Sequence, residues 1–479
     1  MDHKNLGLGS VIATGVGLIV ATSCLLSLGI GSASLGLTFI ISMAIACALN
    51  ILTALSICEL NAVMPNLTGG LAQYSLAGMG PFVTIIAMVG GYLVCNTIVG
   101  SAEVAMFGNT LNSVFTDVGI PGSAYSAILL VLLMIANLNG VDMFAKVQNI
   151  VAYALIGSLL IMGIIGCIGI GTGAKIEQAA VISSDFGDIA GYCGLAFFLF
   201  IGCEFVIPIS NRVKNARRNI PLGMIISLVL IMLMQTFMVI GFKNYTPWEE
   251  LGQSATPHVF YGAALLGDFG TYWMAIVSIL AVTSSINTVI SSLSYICLGM
   301  AKIQLLPGIF EKTNKKGAPI VGVLVIGGIM LIINVAGLST SDALSFLILT
   351  GCVFWMTAYV LSHINVLILR VRLPKAPRTF KVPLTPVTQI LGIIGTAWMI
   401  WNIDGDPDVR KQIFIVCGII FVILAVYAFV WIKTVLKKPL FKGYAVKDVM
   451  AMENALYDKS RRKSGNGKIN IKVDRRDEL

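Results

Sequence analysis

An acidic residue and a proline interrupt an otherwise apolar run, FFLFIGCEFVIP, at residues 197–208. Glu204 lies inside this run, and Pro208 follows it four residues later. Because proline has no N–H, the carbonyl of residue 204 loses its helical partner, and Gly202 weakens the helix just before it. Free carbonyls beside a carboxylate suit an amine or a cation. In an apolar environment such groups persist only where they line a cavity or bind something, so the run predicts a broken helix at a binding site.

A second apolar run has a similar weakness, LGSVIATGVGLIVATSCLLSLGIG at residues 8–31. It carries Gly15, Gly17, Thr22 and Ser23 among branched apolar residues. If the helix breaks here, the N–H groups that open its second half suit a carboxylate. The alternative is that the glycines only permit close helix packing. The acid and the proline of the first run favour a binding site to which both runs contribute.

The composition is that of a polytopic membrane protein. The 479 residues are 57% hydrophobic and 11% charged, whereas about a quarter of the residues of a soluble protein are charged. The run from residue 8 is too long for a signal peptide and lacks a small-residue cleavage site. The ten cysteines lie in or beside apolar runs without metal-ligand spacing, so they are expected to be structural thiols. We expect no metal, no cofactor and no enzymatic activity, since no nucleophile–base pair appears in the spans.

Apolar runs that are long enough to cross a membrane recur along the chain. The eighth of them is long enough to include a preceding interfacial helix. Twelve candidate spans lie near residues 8–30, 36–60, 82–112, 123–140, 146–171, 189–211, 222–242, 262–301, 318–337, 342–369, 385–402 and 412–434.

The basic residues predict the orientation of these spans. With the N-terminus inside, 28 of the 32 Lys and Arg residues fall on inner segments, and Lys175, Lys243, Arg410 and Lys411 remain outside. This asymmetry predicts that both termini are cytoplasmic. The net charge of +9 therefore reflects topology and does not imply a nucleic-acid partner. The basic tail, residues 436–479, is expected to be attracted to anionic lipid. The last four residues, RDEL, resemble a luminal ER-retention signal. We interpret this match as a coincidence, because a cytoplasmic tail could not present the signal to a luminal receptor.

Glu103 is an acidic residue of the third span, in GSAEVAMFGN. At 1.5 Å per residue from Pro81, it lies ~33 Å along the helix. This distance predicts a position near the outer mouth, where the carboxylate would attract an amino group. The alternative is an interfacial glutamate in contact with water.

Other polar residues in or beside the spans have less distinctive patterns. Thr283 and Ser284 in the eighth span have hydroxyl oxygens that suit a hard cation such as sodium. Such hydroxyls more often bond their own helix backbone, and we consider that alternative the stronger. His363 is expected to be a satisfied packing residue, and Glu59 to pair with a basic residue at the inner face.

Several linked motifs, in the same order, resemble those of the amino acid–polyamine–organocation (APC) transporter superfamily over roughly residues 8–435. FIGCE followed by RVKNARRNIP is similar to the sixth span of that family and its exit. The other matching segments are CELNAVMPNLTGGLAQY at 58–74, NGVDMFAKVQN at 139–149, SSINTVISSLSYICLGMAKIQLLPGIF at 284–310 and RTFKVPLTP at 378–386.

The resemblance implies an all-α polytopic membrane protein with twelve transmembrane helices. Ten of them would form a five-plus-five inverted repeat of the leucine-transporter type, about 8–171 and 189–369. Two further C-terminal helices, about 385–434, would complete the membrane domain at residue 435, before the tail.

In the family, the breaks of spans 1 and 6 hold the substrate, and the amides of a G-S-G motif hold its carboxylate. That motif falls within residues 17–25, where this chain has Ala21, Thr22 and Ser23. These small residues still allow a substrate to come close to the backbone, and the hydroxyls of Thr22 and Ser23 add donors. Both glycines of the motif are absent, however.

The sixth span supplies the other side of the implied site. Phe198 and Phe200 fall in the aromatic gate region, with a packing role as the alternative for each. Ile201 and Gly202 lie at the break. Glu204 falls on an acidic position that related exchangers use in proton sensing or gate coupling.

One further position departs from the family. Seven residues after Gln148, many proton-coupled relatives carry a lysine, and here stands Leu155. The absence of the lysine argues against that route of proton coupling. Exchange, sodium at the same place, or a different proton carrier remain open.

We therefore expect a secondary transporter of the cell (plasma or inner) membrane that moves amino acids by alternating access, with exchange as one mode. The alternative is a polyamine or other organic amine as substrate, carried by a transporter or antiporter, with Glu204 or Glu103 as its counter-charge. An ion channel or a membrane sensor is the alternative from a different class, but a sensor would be expected to carry a sizeable soluble domain.

Overall fold

The computed structural model describes residues 6–65, 67, 71–115, 118–139, 144–339 and 343–452. These ranges are mostly helical, and within them only isolated bridges and no β-strand occur. The α-helices are α1 (Leu8–Ile19), α2 (Thr22–Leu35), α3 (Phe39–Val63), α4 (Leu71–Met79), α5 (Pro81–Ile85), α6 (Cys95–Val114), α7 (Gly122–Leu138), α8 (Phe144–Ile168), α9 (Phe186–Gly191), α10 (Cys193–Phe198), α11 (Ala216–Tyr245), α12 (Trp248–Gln253), α13 (Pro257–Leu266), α14 (Asp268–Lys302), α15 (Ile320–Val335), α16 (Leu344–Arg372), α17 (Val387–Trp401), α18 (Pro407–Trp431) and α19 (Val446–Ala451).

The predicted all-α fold is confirmed. Seven helical stretches in the described ranges are long and apolar enough to cross a membrane, and five further apolar helices are shorter. Helix occurs in each of the twelve predicted spans. The number of membrane crossings and the inverted repeat remain predictions, as does the orientation.

The first apolar run breaks where small residues predict it. Helix α1 ends at Ile19 and α2 begins at Thr22. Between them, Val20 (φ −82°, ψ 97°) and Ala21 (φ −107°, ψ 163°) are extended. The first N–H groups of α2 therefore have no helical acceptor and must find a partner elsewhere.

The sixth run is also broken. Helix α10 ends at Phe198, a turn follows, and Gly202 adopts φ 112°, ψ 2°. A 3-10 helix, Cys203–Arg212, then carries the chain through Pro208. A positive φ favours glycine because a Cβ would clash there. The break thus begins at Leu199, slightly earlier than Ile201 and Gly202, the residues predicted to lie at it.

The third span contains a π-helical segment, Ile86–Val94, between α5 and α6. Gly91 in this segment lies so close to α16 that an added Cβ would stand 2.7 Å from the Cβ of Ala358. The close approach brings the π segment against the middle of α16. It therefore places side chains of the third span and of α16 around the break of the sixth.

An ionic clamp joins the end of α3 to the end of α16. The Nε and Nη2 of Arg370 each donate to Glu59 at 2.7 Å. Arg378 lies 3.2 Å from the same carboxylate, which also accepts from the backbone N–H of Val382 at 2.8 Å. The prediction that Glu59 pairs with a basic residue is confirmed.

His363 is a packing residue, as predicted. It is fully buried. Thr53 lies 3.1 Å from its Nε2 and Ser56 lies 2.9 Å from its Nδ1, so both ring nitrogens are bonded.

Two sequence motifs cannot be compared with the structure. NGVDMFAKVQN falls almost wholly on residues of which no side chain is described. The tail from residue 453, with its RDEL end, also lies outside the described ranges.

Candidate functional site

The two helix breaks meet in the interior of the bundle. The Sγ of Cys24, in the first turn of α2, lies 3.3 Å from the carbonyl oxygen of Ile19 and 3.8 Å from that of Phe198, and it can donate its one hydrogen to either. Phe198 and Ile201 are each 5% exposed, and Phe200 is fully buried. The breaks therefore form one buried polar region, and these side chains do not face lipid.

Two polar residues of this region were not predicted from the sequence. Gln235 of α11 extends its Nε2 to the carbonyl oxygen of Leu199, at a long 3.5 Å, and its own amide oxygen is buried without a partner. Cys24 was expected to be only a structural thiol. A signal for Gln235 was present, since it is an amide within the apolar run IISLVLIMLMQTF.

Glu103 reaches the start of α2 from α6. Its Oε1 accepts from the backbone N–H of Thr22 at 3.1 Å and from the Thr22 hydroxyl at 2.5 Å. Its Oε2 accepts from the backbone N–H of Ser23 at 2.7 Å. A second hydroxyl, that of Ser285 in α14, lies 3.3 Å from Oε1 and 3.1 Å from the carbonyl oxygen of Val282, and it can donate its one hydrogen to either. One carboxylate thus caps the N-terminus of α2, where two amides and the Thr22 hydroxyl donate to it and the Ser285 hydroxyl lies within reach.

This position corrects the one predicted for Glu103. The side chain is 3% exposed and lies against the first break, whereas residue counting from Pro81 predicted an outer mouth or a water-exposed interface. Counting along one helix gives a height, but it does not reveal which neighbouring element lies at that height. The two amides that were predicted to bind a substrate carboxylate bind this side chain.

Glu204 is held by aromatic donors from the third span and from α16. The Tyr359 hydroxyl donates to its Oε2 at 2.7 Å, the Trp355 indole N–H to its Oε1 at 2.8 Å, and the Tyr92 hydroxyl to Oε1 at 3.5 Å. The carboxylate is 3% exposed. An indole N–H can only donate, so Oε1 accepts from Trp355, whereas the Tyr359 hydroxyl can either donate to Oε2 or accept from it.

The same aromatic residues pack on each other around the break. The ring of Phe205 lies edge-on to Tyr92 at 6.1 Å and to Trp355 at 6.2 Å. Phe197 meets Tyr359 edge-on at 5.7 Å. The third span, the sixth span and α16 are therefore joined at Glu204 by both hydrogen bonds and ring contacts.

One of the two predicted cation ligands bonds its own helix. The Thr283 hydroxyl donates to the carbonyl of Ile279, one turn back in its own helix, at 2.7 Å. The carbonyl of Ser284 accepts from the hydroxyl of Thr288 at 2.9 Å. Thr283 thus bonds the backbone of its own helix, which was the alternative to binding a cation. Across the described ranges, no group of three His, Cys, Asp or Glu side chains could hold a metal ion.

Leu155, which replaces the lysine of proton-coupled relatives, is 2% exposed. It belongs to α8, which packs against α1 and α14. The side chain is apolar and offers no charge between these helices. Gly17 lies near the end of α1, two residues before Ile19.

Comparison with known proteins agrees with these features. The family profile described as amino acid permease matches residues 6–434. The methylthioribose transporter of Bacillus subtilis (strain 168) is 24% identical over 444 residues, which cover 87% of this chain and 90% of that protein. The branched-chain amino acid permease BcaP of the same organism is 22% identical, covering 87% and 92%. The human Asc-type amino acid transporter 1 is 24% identical, covering 87% and 79%.

Solved structures show the same kind of fold. A mutant form of a manganese transporter from Eremococcus coleocola has a TM-score of 0.55 to this chain at 16% sequence identity, covering 89% of this chain and 95% of that one. At this identity the likeness concerns the fold alone. The profile match extends over most of the sequence and includes both helix breaks. The chain is an integral membrane transport protein, and it belongs to the amino acid permease family of the APC superfamily.

Proposed function

We propose that this protein is a secondary transporter that moves an amino acid or a closely related amine by alternating access. The observation that carries the proposal is the contact between the two helix breaks, from Cys24 to the carbonyl of Phe198. It creates a buried region where backbone groups, rather than a water-filled pore, would meet the substrate. The amino acid permeases among the relatives support the substrate class.

The substrate would lie between the two breaks. The carbonyls near Phe200 to Gly202 would accept from its amino group, and the small residues Gly17 and Ala21 would allow the first span to come close. Phe198 would cover the substrate as a gate. Thr22 and Ser23 would contribute the first turn of α2, which already holds the carboxylate of Glu103.

Glu204 would couple substrate binding to movement of the gate. It follows Gly202 by two residues, so a substrate at the break changes the backbone beside it. Its bonds to Trp355 and Tyr359 reach α16, and its longer bond to Tyr92 reaches the third span. A change in protonation or hydrogen bonding at Glu204 would therefore alter how three spans are held together.

The mode of coupling we propose is exchange. Leu155 supplies no cation where proton-coupled relatives have a lysine, and Thr283 uses its hydroxyl on its own backbone. Neither of these two positions supports a driving ion, whereas exchange requires none.

The test is uptake and counterflow in proteoliposomes. A panel of amino acids, amines and methylthioribose would be supplied with and without sodium and with and without a pH gradient. We expect uptake that is stimulated by internal substrate and unchanged by sodium. Full uptake driven by an ion gradient with no internal substrate would contradict exchange. Ion currents faster than any conformational cycle would point to a channel instead.

A further inference from the structure

The amides that open α2 have no free N–H left for a substrate carboxylate. The N–H of Thr22 donates to one oxygen of Glu103 and the N–H of Ser23 donates to the other. Both oxygens therefore act as acceptors toward groups that can only donate. The Thr22 hydroxyl adds a third donor. Glu103 thus occupies the anion-binding position at this helix terminus.

Nothing basic neutralises Glu103 in the part of the chain that the structure describes. The donors within reach of its two oxygens are two amides and two hydroxyls, and no lysine or arginine is among them. A substrate carboxylate placed beside it would bring two like charges together in a buried site, at a cost of several kcal/mol. An ammonium group at the same place would instead gain a counter-charge.

The surroundings of Glu103 are rich in groups that suit a donor-bearing ligand. The hydroxyl of Ser23, which is 1% exposed, has no partner, and neither has the hydroxyl of Ser27 one turn further along α2. Across the contact with the sixth span, the carbonyl of Leu199 accepts a long 3.5 Å bond from Gln235. Carbonyl and hydroxyl oxygens beside a carboxylate can accept several N–H bonds from one ammonium group.

We infer that Glu103 stands in for the carboxylate of a substrate, so that the preferred substrate is an amine without a free carboxylate group. The inference rests on the proposed function, and it specifies the substrate class of that site. The amine would lie between Glu103 and the carbonyls of the sixth break. The family match does not require a carboxylate, since one relative is named for methylthioribose and others for amino acids.

The test uses matched pairs of compounds that differ only at the carboxyl group. Arginine is compared with agmatine, and leucine with leucinamide, through the Kd that each gives in thermal-shift titrations of the purified protein. Counterflow in proteoliposomes follows, with protein-free liposomes as the control for leakage of amines. We expect the compound without a carboxylate to bind at least tenfold more tightly, which corresponds to about 1.4 kcal/mol.

Two substitutions then ask whether Glu103 causes this preference. Glu103→Ala frees the amides of Thr22 and Ser23, so we expect the acid to bind at least as tightly as its amine partner. Glu103→Gln keeps the size of the side chain and removes its charge, so the tenfold preference should fall to threefold or less. Glu177→Gln, an exposed acid remote from the breaks in sequence, is the control and should keep the wild-type preference.

The outcomes separate this inference from the proposed function. If wild type binds the acids as tightly as their partners, or tighter, the inference is overturned while transport stands. Uptake of one proton with each acid bound would also overturn it, because Glu103 would then share its site with the substrate by becoming neutral. If no compound of the panel binds to wild type or crosses the membrane, the proposed function fails and the inference falls with it.

Discussion

Two buried carboxylates, Glu103 and Glu204, occupy neighbouring parts of the same region but have different partners. Glu103 is held by backbone amides and hydroxyls, which are fixed by the start of α2. Glu204 is held by three aromatic side chains, which can change rotamer. Tyr92 and Glu103 belong to one span and are separated by about 16 Å along a helix. At the residue scale, Glu103 is therefore a fixed part of the site, whereas the partners of Glu204 can change when a substrate binds.

Glu204→Gln should lower the transport rate at least tenfold and remove the pH dependence of what remains. The amide can still accept from Trp355, so the fold is expected to survive, but the group can no longer exchange a proton. Counterflow rates measured from pH 5 to pH 8 test this, together with size-exclusion profiles of the purified variant. An unchanged rate with an unchanged pH profile would show that Glu204 does not couple binding to the gate.

At the scale of elements, the functional region depends on two interruptions rather than on complete helices. Val20 and Ala21, which follow α1, have extended conformations, and Gly202, which follows α10, has a positive φ. Each interruption exposes backbone groups that a continuous helix would pair internally. The π segment of the third span then allows α16 to come close enough for its side chains to reach the break.

Gly202→Ala tests the second interruption. An alanine at φ 112° would be strained, by about 1–3 kcal/mol. We expect a lower Tm in detergent and a loss of most counterflow activity. Gly299→Ala is the matched control, because Gly299 lies in helix α14 with no atom within 4 Å of an added Cβ; it should leave Tm unchanged or raise it. Equal effects of the two substitutions would contradict a special role for Gly202.

At the scale of the whole molecule, long-range polar contacts hold distant parts of the chain together. Glu59 of α3 binds Arg370 at the end of α16 and Arg378 in the following loop. These residues are more than 300 positions apart in sequence. His363 likewise joins α16 to two hydroxyls of α3. The first and second predicted halves of the chain are thus connected through α3 and α16.

Glu59→Gln should destabilise the folded protein by about 3 kcal/mol, the lower end of the range for breaking a buried ion pair, because Arg370 is partly exposed. The amide keeps one acceptor but leaves an arginine or the Val382 N–H unpaired. Thermal unfolding in detergent measures the change. Glu250→Gln, at an exposed position of α12, serves as the comparison. A Tm equal to that of wild type would mean that the clamp contributes little.

The predicted orientation can be tested at two exposed loop positions. Glu177 lies in a loop predicted to be outside and Lys315 in one predicted to be inside. Nine of the ten native cysteines are buried, so an introduced cysteine should dominate labelling by a membrane-impermeant maleimide. In whole cells we expect Glu177→Cys to react and Lys315→Cys to react only after permeabilisation. The reverse pattern would invert the topology.

By itself, the sequence determined the class of the protein, the helices and the places where two of them break. A membrane span needs a long apolar run because its backbone groups must pair within the helix in lipid. Glycine and proline weaken the helix at their own positions. Both properties can therefore be predicted from each segment of the sequence separately. Only the tertiary structure decided what meets at the breaks. Glu103 was predicted at an outer mouth and lies instead on the amides of Thr22 and Ser23. The donors around Glu204 come from residues more than 100 positions away, and such contacts are set by how whole helices pack, which no local pattern encodes.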